Sequence, residues 1–133
     1  MRLLDRFWRD QQGASAMEFA LASPVLVLIL AGIAQLGILF MANAGLKNAV
    51  AEGARYATIY PRPTNTQIQG VISSRRFGLT AANLSTPTLT PGVADGANYL
   101  DVSASYTVNL NFVFFNINGI TLTETRRAFV NPA

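Results

Sequence analysis

"FALASPVLVLILAGIAQLGILFMA", residues 19–42, decides the architecture of this chain. No charged residue occurs between Glu18 and Lys47. As a helix, residues 19–42 would be about 36 Å long, enough to cross a hydrocarbon core of about 30 Å with some tilt. A soluble core helix of that length seldom lacks charge on every face, so a membrane span is the favoured reading. A removable secretory signal is the competing one. Arg2, Arg6 and Arg9 supply its basic start, and "ANA" at 42–44 resembles a cleavage site. The apolar run, however, is longer than the roughly 7 to 15 residues of a signal core, which favours a retained single span. The short, arginine-bearing N-terminus favours a cytoplasmic start, although Lys47 and Arg55 flank the other end.

Composition supports this outline. The chain has 133 residues, half of them hydrophobic and only 13% charged, as expected of a small domain with a membrane appendage. Its net charge of +3 is too mild and too scattered for nucleic-acid binding. There is no Cys and no His. Disulfides and thiol chemistry are therefore excluded, and the commonest general base and metal ligand are missing. Asp95 and Asp101 are too few carboxylates for a calcium loop, and no cofactor, metal or small-molecule substrate is expected. Lys47 is the only lysine and has no serine motif nearby, which argues against a Ser–Lys hydrolase; no enzymatic activity is expected.

Inside the run, Pro24 removes one backbone donor and is expected to kink the helix. Gly32 and Gly37 are five apart, not the four of the close-packing dimer pattern. Beyond the run, Gly45, Ala49, Gly53 and Ala57 recur every four residues and form one small-residue stripe on a continuing helix. The stripe admits a second backbone, either the chain's own sheet, which is favoured, or another subunit. Glu52 and Arg55 can pair on the exposed side. "YPRPTNT" at 60–66 ends this stalk, with Thr64 or Asn65 capping the next helix. That helix is expected over 66–77, with Ile68, Val71 and Ile72 on one face, Arg75 and Arg76 in its last turn, and Gly78 as its stop.

The C-terminal half reads as sheet. From Leu100 to Phe112 apolar and polar residues alternate strictly, the mark of a strand with one buried face. "NING" at 116–119 predicts the hairpin turn, with a returning strand over 120–130. A third strand over 84–90 is limited by Pro87 and Pro91 to an edge, and 91–98 reads as a turn-rich loop. Phe112, Phe114 and Phe115 form an aromatic cluster, for which packing on the stalk or closing the sheet edge is favoured over a partner surface. The expected fold class is α+β: a long N-terminal transmembrane and stalk helix packed against a small C-terminal antiparallel sheet.

One charge remains, Glu18, at the threshold of the apolar run and five residues after Gly13. By itself it reads as an interfacial residue that keeps its head in water. Cleavage after Gly13 would instead make Ala14 a new N-terminus, whose α-amino group is mostly protonated at neutral pH. That cation and the Glu18 carboxylate, paired between adjacent subunits, would lower each other's desolvation penalty. "GASAME" at 13–18 follows the type IV prepilin rule of glycine, cleavage, then glutamate at the fifth mature position. Together with "DQQGASAMEFALASPVLVLILAGIAQLG" at 10–37 and "AEGARYATIY" at 51–60, it resembles the TadE-like family of the tight-adherence (Tad) pilus system.

The resemblance implies a minor pseudopilin of the bacterial or archaeal cytoplasmic membrane. A prepilin peptidase would cut between Gly13 and Ala14, and Glu18 would serve as an assembly contact. The implied division is a leader at 1–13, a transmembrane helix at 14–44, a helical stalk at 45–60 and an extracytoplasmic domain at 61–133. The implied partners are other TadE-like pseudopilins, the Flp-type major pilin, the platform proteins and the lipid bilayer. A membrane-anchored extracytoplasmic binding module with an uncleaved helix is the alternative.

Overall fold

The computed structural model describes residues 11–112 and 114–130. The leader lies outside the described residues up to residue 10. A single helix, α1 (Gln11–Ala57), runs unbroken through the apolar segment and the stalk, with Pro24 inside it. Its 47 residues make a rod about 70 Å long. The chain then passes a cis Tyr60–Pro61 peptide into α2 (Asn65–Ser74), a short 3-10 turn (Ala81–Asn83), and three strands. These are β1 (Thr88–Ala94), β2 (Ala97–Asn111) and β3 (Asn116–Phe129), antiparallel in the order β1-β2-β3. The α+β class is as the sequence indicates.

Two chemically different halves make up α1. From Met17 to Met41 most of its large apolar residues are exposed, among them Phe19 at 70% and Ile33 at 61%, while Leu28 is half-buried and Leu39 packs partly against the core. From Ala42 onward one stripe is buried: Ala42, Leu46, Ala49, Val50, Ala54 and Ala57. These positions recur at three- and four-residue steps, so one face of the helix meets the sheet and α2. β2 supplies the opposing surface. Leu100, Val102, Ala104, Tyr106, Val108 and Leu110 are all buried, while the alternate residues from Asp101 to Asn111 face away. Ile68 and Ile72 of α2 close the core, and Val71 is half-buried beside them.

Several local expectations shift. The α1 helix ends at Ala57, before Tyr60, and its last carbonyls are closed by Thr58 N–H to Arg55 and Ile59 N–H to Tyr56, both 3.2 Å. Thr64 caps α2 in a capping box: its Oγ1 accepts from Gln67 N–H, and the Gln67 side chain accepts from Thr64 N–H at 2.9 Å. The helix stops at Ser74, so Arg75 is its C-cap and Arg76 lies beyond it, rather than both in the last turn. Gly78 is left-handed (φ 71°) but four residues past the helix, where the chain turns back toward Met41.

The hairpins differ more. Asn118-Gly119 is not the turn between β2 and β3; it lies inside β3, where the register slips between Val108 and Leu110. Gly119 takes φ 78°, and its N–H donates to Asn109 Oδ1 at 2.9 Å, so the dipeptide forms a β-bulge. The turn itself falls among the phenylalanines, where Phe112 N–H donates to Phe115 O at 2.8 Å. The third strand sits four residues later than expected. Leu84 makes only an isolated bridge to Tyr106. Pro91 is accepted within β1 because β1 is an edge strand, where a missing N–H leaves no partner orphaned. Asp95 (φ 51°) and Gly96 (φ 79°) then close a two-residue hairpin, with Ala94 opposite Ala97. Two successive positive φ values suit the twist of the flanking strands, and Asp-Gly adopts them at least cost.

Candidate membrane and assembly helix

The lower part of α1 carries every candidate assembly residue. Gly13, Ala14 and Glu18 are exposed near the start of the helix, and the Gly13–Ala14 bond is itself helical. Glu18 makes no ion pair with a described residue. Above it the apolar face continues around the whole circumference, with Leu21, Val25, Leu26, Val27, Ile29 and Leu30 all more than half exposed. The helix is long and apolar enough to cross a membrane, and almost none of its apolar stretch is covered by protein. That separates it from the core helix of a soluble domain, which would be covered.

The upper part of the small-residue stripe meets the chain's own domain. A Cβ at Gly45 would collide with the backbone carbonyl of Phe77, and one at Gly53 with the Ile72 side chain. Ala49 and Ala57 are buried in the same seam. By contrast, a Cβ at Gly13, Gly32 or Gly37 would meet nothing within 4 Å. Close approach therefore governs the stalk glycines and not those in the exposed run.

A polar contact joins the two halves of the molecule at an unexpected level. Gln35, in the middle of the apolar run, donates through Nε2 to the backbone carbonyl of Asn111 at 2.7 Å. No periodicity in the sequence pairs these residues, which lie 76 positions apart. The only hint is that Gln35 is the sole amide side chain between residues 19 and 42.

Charged side chains cluster at the end of the sheet remote from Gln35. Arg127 grips Asp101 across the β2–β3 pair with two hydrogen bonds of 2.8 Å and stacks 3.7 Å over the Tyr99 ring. Asp101 is thus engaged, and among the described residues no group of three or more acidic side chains is positioned to hold a metal. The hydrogen bonds from Arg127 hold the Asp101 carboxyl below its ordinary range, against a smaller opposing effect of desolvation. A depressed folded-state value means the pair's contribution is complete above about pH 4, the unfolded carboxyl's value, and is lost as pH falls through the lowered one. Both groups are solvent-screened, so the effect is small. In a pH titration of thermal stability, the difference between the parent and Asp101→Asn is expected to shrink steadily below pH 4. A difference that stays constant down to pH 2 would show that the pair does not titrate as described.

Glu52 and Arg55 pair at 2.9 Å on the exposed side of the stalk, where such a bridge contributes little. Arg75 and Arg76 are exposed at the rim of an open depression bounded by Asn48, Phe77 and Leu79.

An exposed apolar rod that carries an antiparallel sheet on its far half defines a helix-anchored α+β protein. Residues 13–55, about a third of the chain, match the family model described as TadE-like protein. The matched segment begins at Gly13 and ends within the buried stripe, so it contains Glu18, Pro24 and the first three small residues of the stalk. The match bears out the resemblance to the TadE-like family, associates the chain with the Tad pilus system, and agrees with an N-terminal helix that anchors it in a membrane. No curated protein and no solved structure matches the chain.

Proposed function

We propose that the protein is a minor pseudopilin that helps to assemble or initiate a Tad/Flp-type pilus, acting through α1 as a structural component and not as an enzyme. The observation that carries this reading is the TadE-like match that opens at Gly13, on a helix whose most apolar stretch is left almost wholly uncovered by the domain. The protein crosses the cytoplasmic membrane once, with residues 1–13 on the cytoplasmic side and the sheet domain outside. A prepilin peptidase cuts between Gly13 and Ala14. Gly13 assists by lowering helix propensity by about 1 kcal/mol relative to Ala, which eases the local opening that a peptidase requires. The new α-ammonium of Ala14 then pairs with Glu18 of a neighbouring subunit at the lipid boundary. Its partners are other TadE-like pseudopilins, the Flp-type major pilin and the platform proteins.

Intact mass and N-terminal sequencing of the membrane-extracted protein test the cleavage. The expected chain begins at Ala14; a chain that still begins at Met1 in peptidase-positive cells identifies an uncleaved anchor instead. Glu18→Ala is expected to leave processing intact while reducing piliation at least tenfold. Normal piliation in that variant would rule out the proposed pairing.

A further inference from the structure

The tip of the β2–β3 hairpin stands where the membrane must be. β2 runs down the side of α1. At its upper end Val102 packs against Gly53, and at its lower end the Asn111 carbonyl accepts from Gln35. The 18 helical residues between Gly53 and Gln35 cover about 27 Å, and the nine strand residues between Val102 and Asn111 about 30 Å. The two measures agree, so Asn111 lies level with Gln35.

A hydrocarbon core of about 30 Å that starts at Glu18 extends for about twenty helical residues, to the level of Ile38. Gln35 falls roughly 4 to 5 Å inside that limit, and any tilt of the helix places it deeper. The hairpin tip cannot be level with Gln35 and also stand clear of lipid. Its composition fits the location. Phe114 is 77% and Phe115 57% exposed, and Phe115 stacks on Phe112 with ring centroids 4.7 Å apart. Between Asp101 and Glu124 there is no charged residue at all. Asn109 and Asn118, about two strand residues above the level of Asn111, are amides suited to a headgroup layer.

We infer that Phe114 and Phe115 insert into the bilayer leaflet on the domain's side, with the Gln35–Asn111 bond setting their depth. The occupant of this apolar tip is lipid, because the tip is continuous with the exposed face of α1 and shares its level. The inference rests on α1 spanning the membrane, and its test reports on both.

The full chain, with Trp8→Phe to remove the native fluorophore, carries a single new tryptophan as Phe114→Trp, Val93→Trp or Leu26→Trp. Each protein is reconstituted into phosphatidylcholine–phosphatidylglycerol vesicles, with or without bromines at carbons 6 and 7 of the acyl chain. Leu26→Trp reports the span and is quenched. Val93→Trp, exposed beside the Asp95-Gly96 turn, is unquenched. Phe114→Trp is expected to be blue-shifted and to lose at least half its emission to the brominated lipid. Quenching at residue 26 without quenching at 114 overturns the inference while leaving the span intact. A blue shift at 114 that persists without quenching and grows with protein-to-lipid ratio overturns it in favour of a second copy covering the tip. No quenching at residue 26 overturns the span and the inference together.

Discussion

Gly45→Val is expected to lower the thermal midpoint of the folded domain by roughly 12 °C or more, while Gly32→Val leaves it unchanged. At Gly45 even the first carbon of a side chain would occupy the space of the Phe77 carbonyl oxygen, a backbone atom in a segment that also contacts Met41. Relief requires the Phe77–Leu79 segment to lift from the helix. Overpacking of this kind costs about 3 kcal/mol at the upper end of the usual range, and in a domain of this size each kcal/mol moves the midpoint by about 4 to 8 °C. Valine also gains slightly over glycine in helix propensity, by a few tenths of a kcal/mol, too little to offset the clash. At Gly32 there is nothing within 4 Å to displace. The comparison is made by circular dichroism melts of the full chain in mild detergent. Equal midpoints for the two variants would mean that the segment after α2 is not held against the stalk.

Leu46→Ala tests the division of α1 into two halves from the opposite direction. Leu46 is fully buried and among the largest such side chains of the core, whereas Leu36, ten residues earlier, is 48% exposed. Truncating a buried leucine typically removes about 2 to 5 kcal/mol, because a cavity remains where the neighbours cannot close in. Leu36→Ala removes a side chain that faces lipid in the anchored protein, where no domain contact is lost. The expected result is a domain strongly destabilised by the first substitution and indifferent to the second. Comparable losses at both positions would place the domain boundary on the helix well below Gln35.

These contrasts also explain which features the sequence made legible. The apolar run and the strict alternation from Leu100 to Phe112 are periodic signals tens of ångströms long, so helix and central strand were readable directly. The every-fourth-residue stripe of small residues was equally visible, but Leu46 and Val50, which fill the core beside it, carry the same chemistry as the lipid-facing leucines below. Hydrophobicity alone cannot separate a side chain facing lipid from one facing a sheet. Turns failed for a related reason. Asn118-Gly119 and Asp95-Gly96 are chemically alike, yet one is a bulge and the other a hairpin turn. Only strand pairing distinguishes them, and pairing is a long-range property. The Gln35–Asn111 contact has no local signature whatever, while the Gly13-to-Glu18 spacing is local and could be read at once.

The continuity of α1 has a mechanical consequence. No loop interrupts the helix between Pro24 and Ala57, a length of about 50 Å. A bend of about 10° at Pro24 therefore carries Ala57 sideways by about 9 Å, because the upper helix and the sheet packed on it move as one lever. Small angular changes within the bilayer become large excursions of the domain, so whatever grips the base of this rod also steers its head.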